Sequence, residues 1–329
     1  MRQLDVVICT YNNASLLDRT LESLGNQRTP PDLHWSVLVV DNNCTDNTST
    51  VFNKHLGLGK IPHLSKIVEL RQGLTPARLC GVRNTSADWL AFLDDDCLVA
   101  EDWVANAVAF AYMHPTYAAF GGKVIPEWEH PPPNWLLKFR YCFAKQDHGP
   151  RPKEVSCLVG AGMVINRAAL QRCGWLNHQF LNDRVGTEVI SGGDVEIALR
   201  LAAVANLWYT PECEIRHVIP TWRTSPEYLA RLNRGLGASK LLGDSMLWSG
   251  APMVWIGLSM FRTLGEFLAS TVKLVAGRLG GRLSPALALS STFVRGEWDG
   301  IRQLVSMPPE SRRALIGCAK LPRRSRGSE

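Results

Sequence analysis

Four short apolar runs, each closed by a polar turn and separated from the next by a helical stretch, set the frame for the rest of this chain. They span Leu4 to Cys9, Trp35 to Val40, Lys66 to Leu70 and Trp89 to Leu93. Runs of this length read as strands buried on both faces. After the first, Leu16, Leu17, Thr20, Leu21 and Leu24 fall on one helical face, with Asn12 or Asn13 available as a cap. A second helix is expected from Thr45 or Asp46 to about Leu56. Thr75-Pro76 marks the start of a third, with Thr as cap and Pro at the first helical position. Alternation of this kind predicts an α/β fold: a Rossmann-type, mainly parallel sheet with helices on both faces.

Such a sheet gathers its ligand-binding loops at the carboxyl ends of its strands. Here those ends are Thr10-Tyr11-Asn12, Asp41-Asn42 and Asp94-Asp95-Asp96. Three adjacent carboxylates repel one another unless a cation stands near. Mg²⁺ or Mn²⁺ takes oxygen ligands, typically one or two carboxylates plus substrate phosphates. The acidic triplet therefore reads as a metal–phosphate site, against the plainer alternative of a solvated acidic loop. No GxGxxG follows the first strand and no Walker-type lysine loop occurs. Phosphate would have to be held through a metal and side chains.

Further along, a helix is expected from Glu101 to Met113 and a strand from Ala119 to Ile125. A Pro- and Trp-rich stretch follows, Pro126 to Trp135. Trp128 and Trp135 either stack on a sugar or pack beneath a rigid surface loop. Gly160 and Gly162 interrupt the apolar run from Val155 to Ile165, which suggests a close backbone approach. Gly192-Gly193-Asp194 leads into a helix carrying Val195, Ile197, Ala198 and Leu201. Asp194 reads as a helix cap or, beside a metal site, as a general base. His217 is a candidate metal ligand or a core histidine.

The chain's formal charge of +6 is unevenly spread. From Gly277 onward there are ten Lys/Arg against four Asp/Glu, so the preceding residues are formally neutral. A neutral body argues against a nucleic-acid partner, which wants a basic face beside aromatic platforms. From Ala251 to Ala276, apolar residues recur every three or four positions but are broken by Arg262, Glu266 and Lys273. Those charges argue against a spanning helix. An amphipathic helix resting on a membrane, or packed on the body or on a second copy in a homo-oligomer, remain as readings. Nine scattered cysteines with no CxxC pair point to a reducing compartment, and the N-terminus shows no signal-peptide pattern. A cytoplasmic protein, peripheral on the inner face of the cell membrane, is the corresponding expectation.

With these residues laid out, the chain resembles the family 2 glycosyltransferases, inverting enzymes of the GT-A fold, over roughly Leu4 to His217. The resemblance rests on Cys9-Thr10-Tyr11-Asn12, on Val39-Val40-Asp41-Asn42-Asn43, on Gly73-Leu74-Thr75-Pro76-Ala77-Arg78 and on the acidic triplet, in that order. It implies that Thr10, Tyr11, Asn12, Asp41 and Arg78 line a nucleotide-sugar pocket. Asp94 and Asp95 would face the ribose or metal, and Asp96 would be the principal ligand of Mn²⁺ or Mg²⁺, with Asp94 and His217 completing the site. Asp194 matches the family's catalytic aspartate, and Glu196 matches an acid of the same motif, placed with Trp128 and Trp135 on the acceptor side. Gly193 stands where the family usually has a glutamate, and Gly162 where many relatives carry asparagine. The implied reaction transfers a sugar, UDP-linked by family analogy, to a saccharide or lipid-linked acceptor in polysaccharide or glycan biosynthesis.

The resulting plan is a nucleotide-sugar-binding half (1–125), an acceptor-binding and catalytic half (126–225), a helical extension (226–315) and a basic, disordered tail (316–329). Two other functions compete. A nucleotidyltransferase would need a Gly- and Lys/Arg-rich triphosphate loop after its first strand, which Thr10-Tyr11-Asn12-Asn13 does not supply. A non-catalytic carbohydrate-binding or assembly protein would share the fold, and the Gly193 departure favours it.

Overall fold

The computed structural model describes residues 3–181, 183, 185, 192–280 and 285–320. In chain order the first half runs β1 (Leu4–Thr10), α1 (Ala14–Gly25), β2 (Trp35–Asp41), α2 (Thr48–Leu58), β3 (Leu64–Val68), α3 (Leu74–Arg83), β4 (Trp89–Asp94), β5 (Cys97–Val99), α4 (Trp103–Met113), β6 (Ala119–Gly121) and β7 (Val124–Trp128). A 3-10 segment, Asn134–Phe143, leads to β8 (Lys153–Val155), β9 (Met163–Asn166), α5 (Arg167–Arg172), α6 (Gly193–Ala202), β10 (Leu207–Tyr209) and β11 (Ile215–Ile219). A single 3-10 turn, Thr221–Thr224, then opens the helical extension: α7 (Pro226–Met246), α8 (Pro252–Leu279), α9 (Pro285–Ser306) and α10 (Pro309–Leu315).

Eight strands form one sheet in the order β3-β2-β1-β4-β9-β6-β10-β8, and β5-β11-β7 form a second, smaller one. The four strands read from the sequence pair in parallel, with β1 at their centre (Val7 beside Leu38 and Phe92). The antiparallel β9 then joins β4 to β6. Strand alternation divides β1 between two cores. Val6 and Ile8 pack with Leu17, Phe52 and Trp103 of α1, α2 and α4. Val7 packs with Ala77, Ala169 and Ile197 of α3, α5 and α6 on the other face. Helices thus cover both faces, and the loops after β1, β2 and β4 open at one edge.

Several boundaries differ from the sequence reading. The third strand lies two residues earlier, because Leu64 is the residue its pairing buries while Leu70 is 76% exposed. The single strand expected from Ala119 to Ile125 is two strands in different sheets. The chain breaks at Gly122, where a Cβ would fall 1.5 Å from the carbonyl oxygen of Cys213, so only glycine fits the crossing. Asn13 occupies the N-cap of α1 but does not cap it with its side chain. Asp46 accepts from Ala14 N–H instead (2.9 Å), and Asn13 turns to Asp95. The apolar stretch from Ala251 to Ala276 is a single helix, α8, with Ala251 as its N-cap and Leu279 as its last residue. No helix among the described residues is long and apolar enough to cross a membrane. Of the tail expected over 316–329, Ile316 and Ala319 are buried, and Gly317 and Ala319 N–H donate to Ser245 and Met246 of α7. The remainder, from 321, lies outside the described residues.

Candidate active site

β1 and β4 place Thr10 and Asp95 side by side, so the loops after them share one floor. Asp95 accepts from Thr10 Oγ1 (2.7 Å) and Asn13 Nδ2 (2.8 Å). Burial, then the charge of Asp96, push the Asp95 carboxyl up to about 7. Asp94 is raised for the same reasons, with Asp194 adding to the effect. Asp96 is turned inward, 3% exposed, between a guanidinium and an imidazole. Arg223 Nη1 donates to its Oδ2 at 2.7 Å, and His217 Nε2 lies 3.3 Å from its Oδ1. The other ring nitrogen of His217 is 2.9 Å from the Phe143 carbonyl, which only accepts, so Nδ1 carries a proton. Burial pulls the His217 pKa down, but Asp96 outweighs it and the net shift is upward.

Opposite stands α6. Asp194 is in its first turn and lines the same cavity as the acidic triplet. Its carboxylate is paired with Arg78 of α3, a buried guanidinium that also meets Asp183 (3.3 Å) and Asp94 (3.8 Å). Despite burial, these carboxylates hold the Arg78 pKa up. One arginine therefore bridges the triplet and the helix start. Two glycines make room. A Cβ at Gly160 would fall 2.1 Å from Asp194 Oδ2, and a Cβ at Gly193 would fall 2.2 Å from Asp183 Oδ2. Asp183 thus occupies the space into which a side chain at position 193 would start.

The cavity enclosed is about 770 Å³. Thr10, Tyr11, Asn12, Arg78, Asp94, Asp95, Asp96 and Asp194 all line it. Its lining holds five carboxylates (Asp94, Asp95, Asp96, Asp183, Asp194) and three guanidiniums (Arg78, Arg223, Arg231), a formal charge of −2. Ligand atoms of Asp94, Asp96 and Cys97 lie within 4.8 Å of one another. Burial, then the charge of Asp96, drive the Cys97 thiol well above its usual range, and beside it the two carboxylates are the harder donors. The two carboxylates suit a hard cation such as Mn²⁺; the His217 imidazole is outside that cluster, next to Asp96 alone.

Five expected residues do not line the cavity, His217 among them. Asp41 does not line the cavity; its carboxylate accepts from Cys44 N–H (2.8 Å) near Lys66, and Asn42 takes the wall position. Glu196 is fully buried and faces away, accepting from Phe180 and Leu181 N–H (2.9 and 2.8 Å) and from Arg200 (2.7 Å). It is a frame for that loop, not an acceptor contact. Trp128 and Trp135 are half-buried, packed edge-on against Phe143 and Phe139 in a satellite apolar cluster away from the cavity. Asp183, Trp222, Arg223, Tyr228 and Arg231 were not anticipated from sequence, and all five line the cavity. For these the only sequence signal was their charge or ring, with no motif around them.

Removing Glu196 tests its role as a frame. Glu196→Ala leaves Arg200 and two backbone N–H groups without their carboxylate, an expected cost of about 3–5 kcal/mol. Denaturant unfolding should show it, while the protein that remains folded keeps its affinity for the cavity's ligand. Unchanged stability would refute the assignment.

Residues 5–174, just over half the chain, match glycosyl transferase family 2. The chain belongs to this family. Validoxylamine A glucosyltransferase of Streptomyces hygroscopicus subsp. limoneus is 38% identical over 106 residues, 32% of this chain and 23% of its own length. The pre-mycofactocin glycosyltransferase of Mycobacterium tuberculosis is 25% identical over 332 residues, 93% of this chain and 64% of the relative. The chain thus spans under a quarter of the first relative and just under two thirds of the second. Among solved structures, a mannosyltransferase of Pyrobaculum calidifontis in complex with GDP-Man and Mn²⁺ superposes with a TM-score of 0.58 at 20% identity, covering 97% of this chain and 86% of that one. GalNAc-T7 with UDP, GalNAc and Mn²⁺ gives 0.53 at 19% identity, covering 75% and 50%. At these identities the likeness is one of fold, the GT-A fold. The family match ends at residue 174, so Asp183, Asp194, His217 and the wall from Trp222 to Arg231 lie beyond it.

Proposed function

We propose that this family 2 member is a metal-dependent, inverting glycosyltransferase that moves a sugar from a nucleoside-diphosphate sugar, UDP-linked, to a hydroxyl of a saccharide or lipid-linked acceptor in glycan biosynthesis. The carrying observation is the Arg78 guanidinium, which ties Asp194 and Asp94 to one cavity. A cluster for diphosphate and a carboxylate for an attacking hydroxyl thereby share one space. Asp94, Asp96 and His217 would hold Mn²⁺ or Mg²⁺, which when bound supplies positive charge for a departing diphosphate. The formal −2 of the lining matches one such cation. Thr10, Asn13 and Asp95 form the polar floor for the nucleotide. Arg78 orients Asp194, which takes the acceptor's proton as its oxygen attacks the anomeric carbon on the face opposite the leaving group. That direct displacement inverts the configuration. Much of the rate would come from holding donor and acceptor in register.

A panel of nucleotide sugars incubated with Mn²⁺ or EDTA tests this reading. Metal-dependent nucleotide release with a glycosylated product supports it. Pyrophosphate release would point to nucleotidyl transfer instead, and binding with no release to a carbohydrate-binding protein.

The outer face of α8 supports a peripheral position at a membrane. It exposes ten large apolar side chains, among them Leu258, Phe261, Leu264, Leu268 and Val272. Lys273 and Arg278 edge this stripe, both exposed and neither in an ion pair among the described residues. A self-paired helix would want complementary acids at its flanks. The only acid on α8 is Glu266, already beside Arg262. An anionic lipid surface supplies both the apolar and the negative partner. Vesicles with about one third anionic lipid should sediment the wild type, and Phe261→Asp with Leu268→Asp should cut binding by more than about tenfold. Equal binding, or concentration-dependent dimers with no vesicle binding, would overturn it.

A further inference from the structure

The proposed metal site already contains a cation of its own. Asp96 is the most buried carboxylate of the triplet, and Arg223 is its strongest partner, at 2.7 Å. Arg223 is itself 8% exposed, and burial notwithstanding its pKa is raised, chiefly by Asp96. A divalent ion on Asp96 would stand within a few ångströms of this guanidinium, and like charges at that range repel. Arg223 also carries a leftover donor. Its Nε is buried with no hydrogen-bond partner. An unmet buried donor on a charged group costs free energy unless a ligand answers it.

The surroundings give the side chain somewhere to go. Arg223 sits in the 3-10 turn Thr221–Thr224, between β11, which carries His217, and α7. Its guanidinium lies 5.3 Å from the ring of Trp222, which is 60% exposed and packs edge-on against Tyr228. Arg231, two turns along from Thr224, is exposed, lines the same cavity and makes no ion pair among the described residues. Arg223 and Arg231 line one cavity, and guanidinium forks bind phosphate groups bidentately.

We propose that Arg223 is a two-position residue: it neutralises Asp96 when no metal is bound and, when a divalent cation takes that carboxylate, turns its fork onto the diphosphate of the nucleotide beside Arg231. The inference deepens the reading of the cavity as a nucleotide-sugar site and rests on it for the identity of the anion. Arg223 competes with the metal for Asp96 and assists the nucleotide. Removing it has opposite effects on the two ligands. A purely structural role would weaken both.

The test uses the full chain with Mn²⁺ alone and with UDP as the diphosphate probe. Free Mn²⁺ is read by its electron paramagnetic resonance signal, and UDP affinity at saturating Mn²⁺ by calorimetry. In Arg223→Gln, Mn²⁺ without nucleotide should bind at least about tenfold tighter, and UDP about tenfold weaker. Arg223→Lys keeps the charge but not the fork, so its Mn²⁺ affinity should stay near wild type while UDP weakens. Unchanged or weaker Mn²⁺ binding in Arg223→Gln, or unchanged UDP binding, overturns the proposal. Should both variants fail to fold, the wild type decides: UDP must tighten Mn²⁺ binding, and no such coupling overturns it. Because Mn²⁺ and UDP binding need no turnover, a protein that shows this pattern but transfers no sugar refutes the proposed reaction and leaves Arg223 standing.

Discussion

Asp194→Asn is expected to keep nucleotide-sugar affinity and lose about 10²- to 10⁴-fold in sugar transfer, the usual range for removing a general base. The geometry makes the split sharp. The amide keeps the size of the carboxylate, so the tight fit beside Gly160 survives. Arg78 keeps Asp183 and Asp94 as partners, so the buried guanidinium is not orphaned. What goes is the lone pair basic enough to take a proton. Calorimetry with Mn²⁺ and the donor, set beside single-turnover transfer, separates the two effects. Wild-type turnover would remove Asp194 from the chemistry.

The second large effect belongs to Asp96. Asp96→Ala should abolish Mn²⁺-dependent donor binding, a loss beyond the roughly 10- to 100-fold that removing an outer-shell partner costs. Asp94 and His217 would remain, but the carboxylate between them is the one both Arg223 and His217 address. Donor titrations with Mn²⁺ and with EDTA should then coincide. A persisting metal dependence would shift the ligand role to Asp94 and Asp95.

Those two residues were legible because each sits in a local pattern: three acids after a buried run, and an acid after two glycines at a helix start. The parallel strands were legible for the same reason, since burial on both faces leaves continuous apolar runs. The ion pairs of the arginines were not. Arg223 meets Asp96 across 127 positions, and Arg78 meets Asp183 across 105, so no window of sequence holds either pair. The placement of Glu196 follows from helix geometry. Two residues along an α-helix turn the side chain about 200°, so Glu196 had to leave the face that Asp194 occupies. The indoles of Trp128 and Trp135 were ambiguous by nature: a proline-rich loop rigid enough to offer a ring to a sugar is also rigid enough to press it into an apolar cluster.

The cavity has two walls, and they have separate addresses along the chain. Cys9 to Asp96 supply one, and Asp183 to Arg231 the other, with little interleaving. The first is built into the central sheet, where a change disturbs the packing of β1, β2 and β4 together. The second hangs on a helix start, a one-turn connection and the first turns of α7. Heredity can therefore treat them differently. A lineage can hold the first wall fixed and redraft the second, and the packing of the central sheet is left untouched.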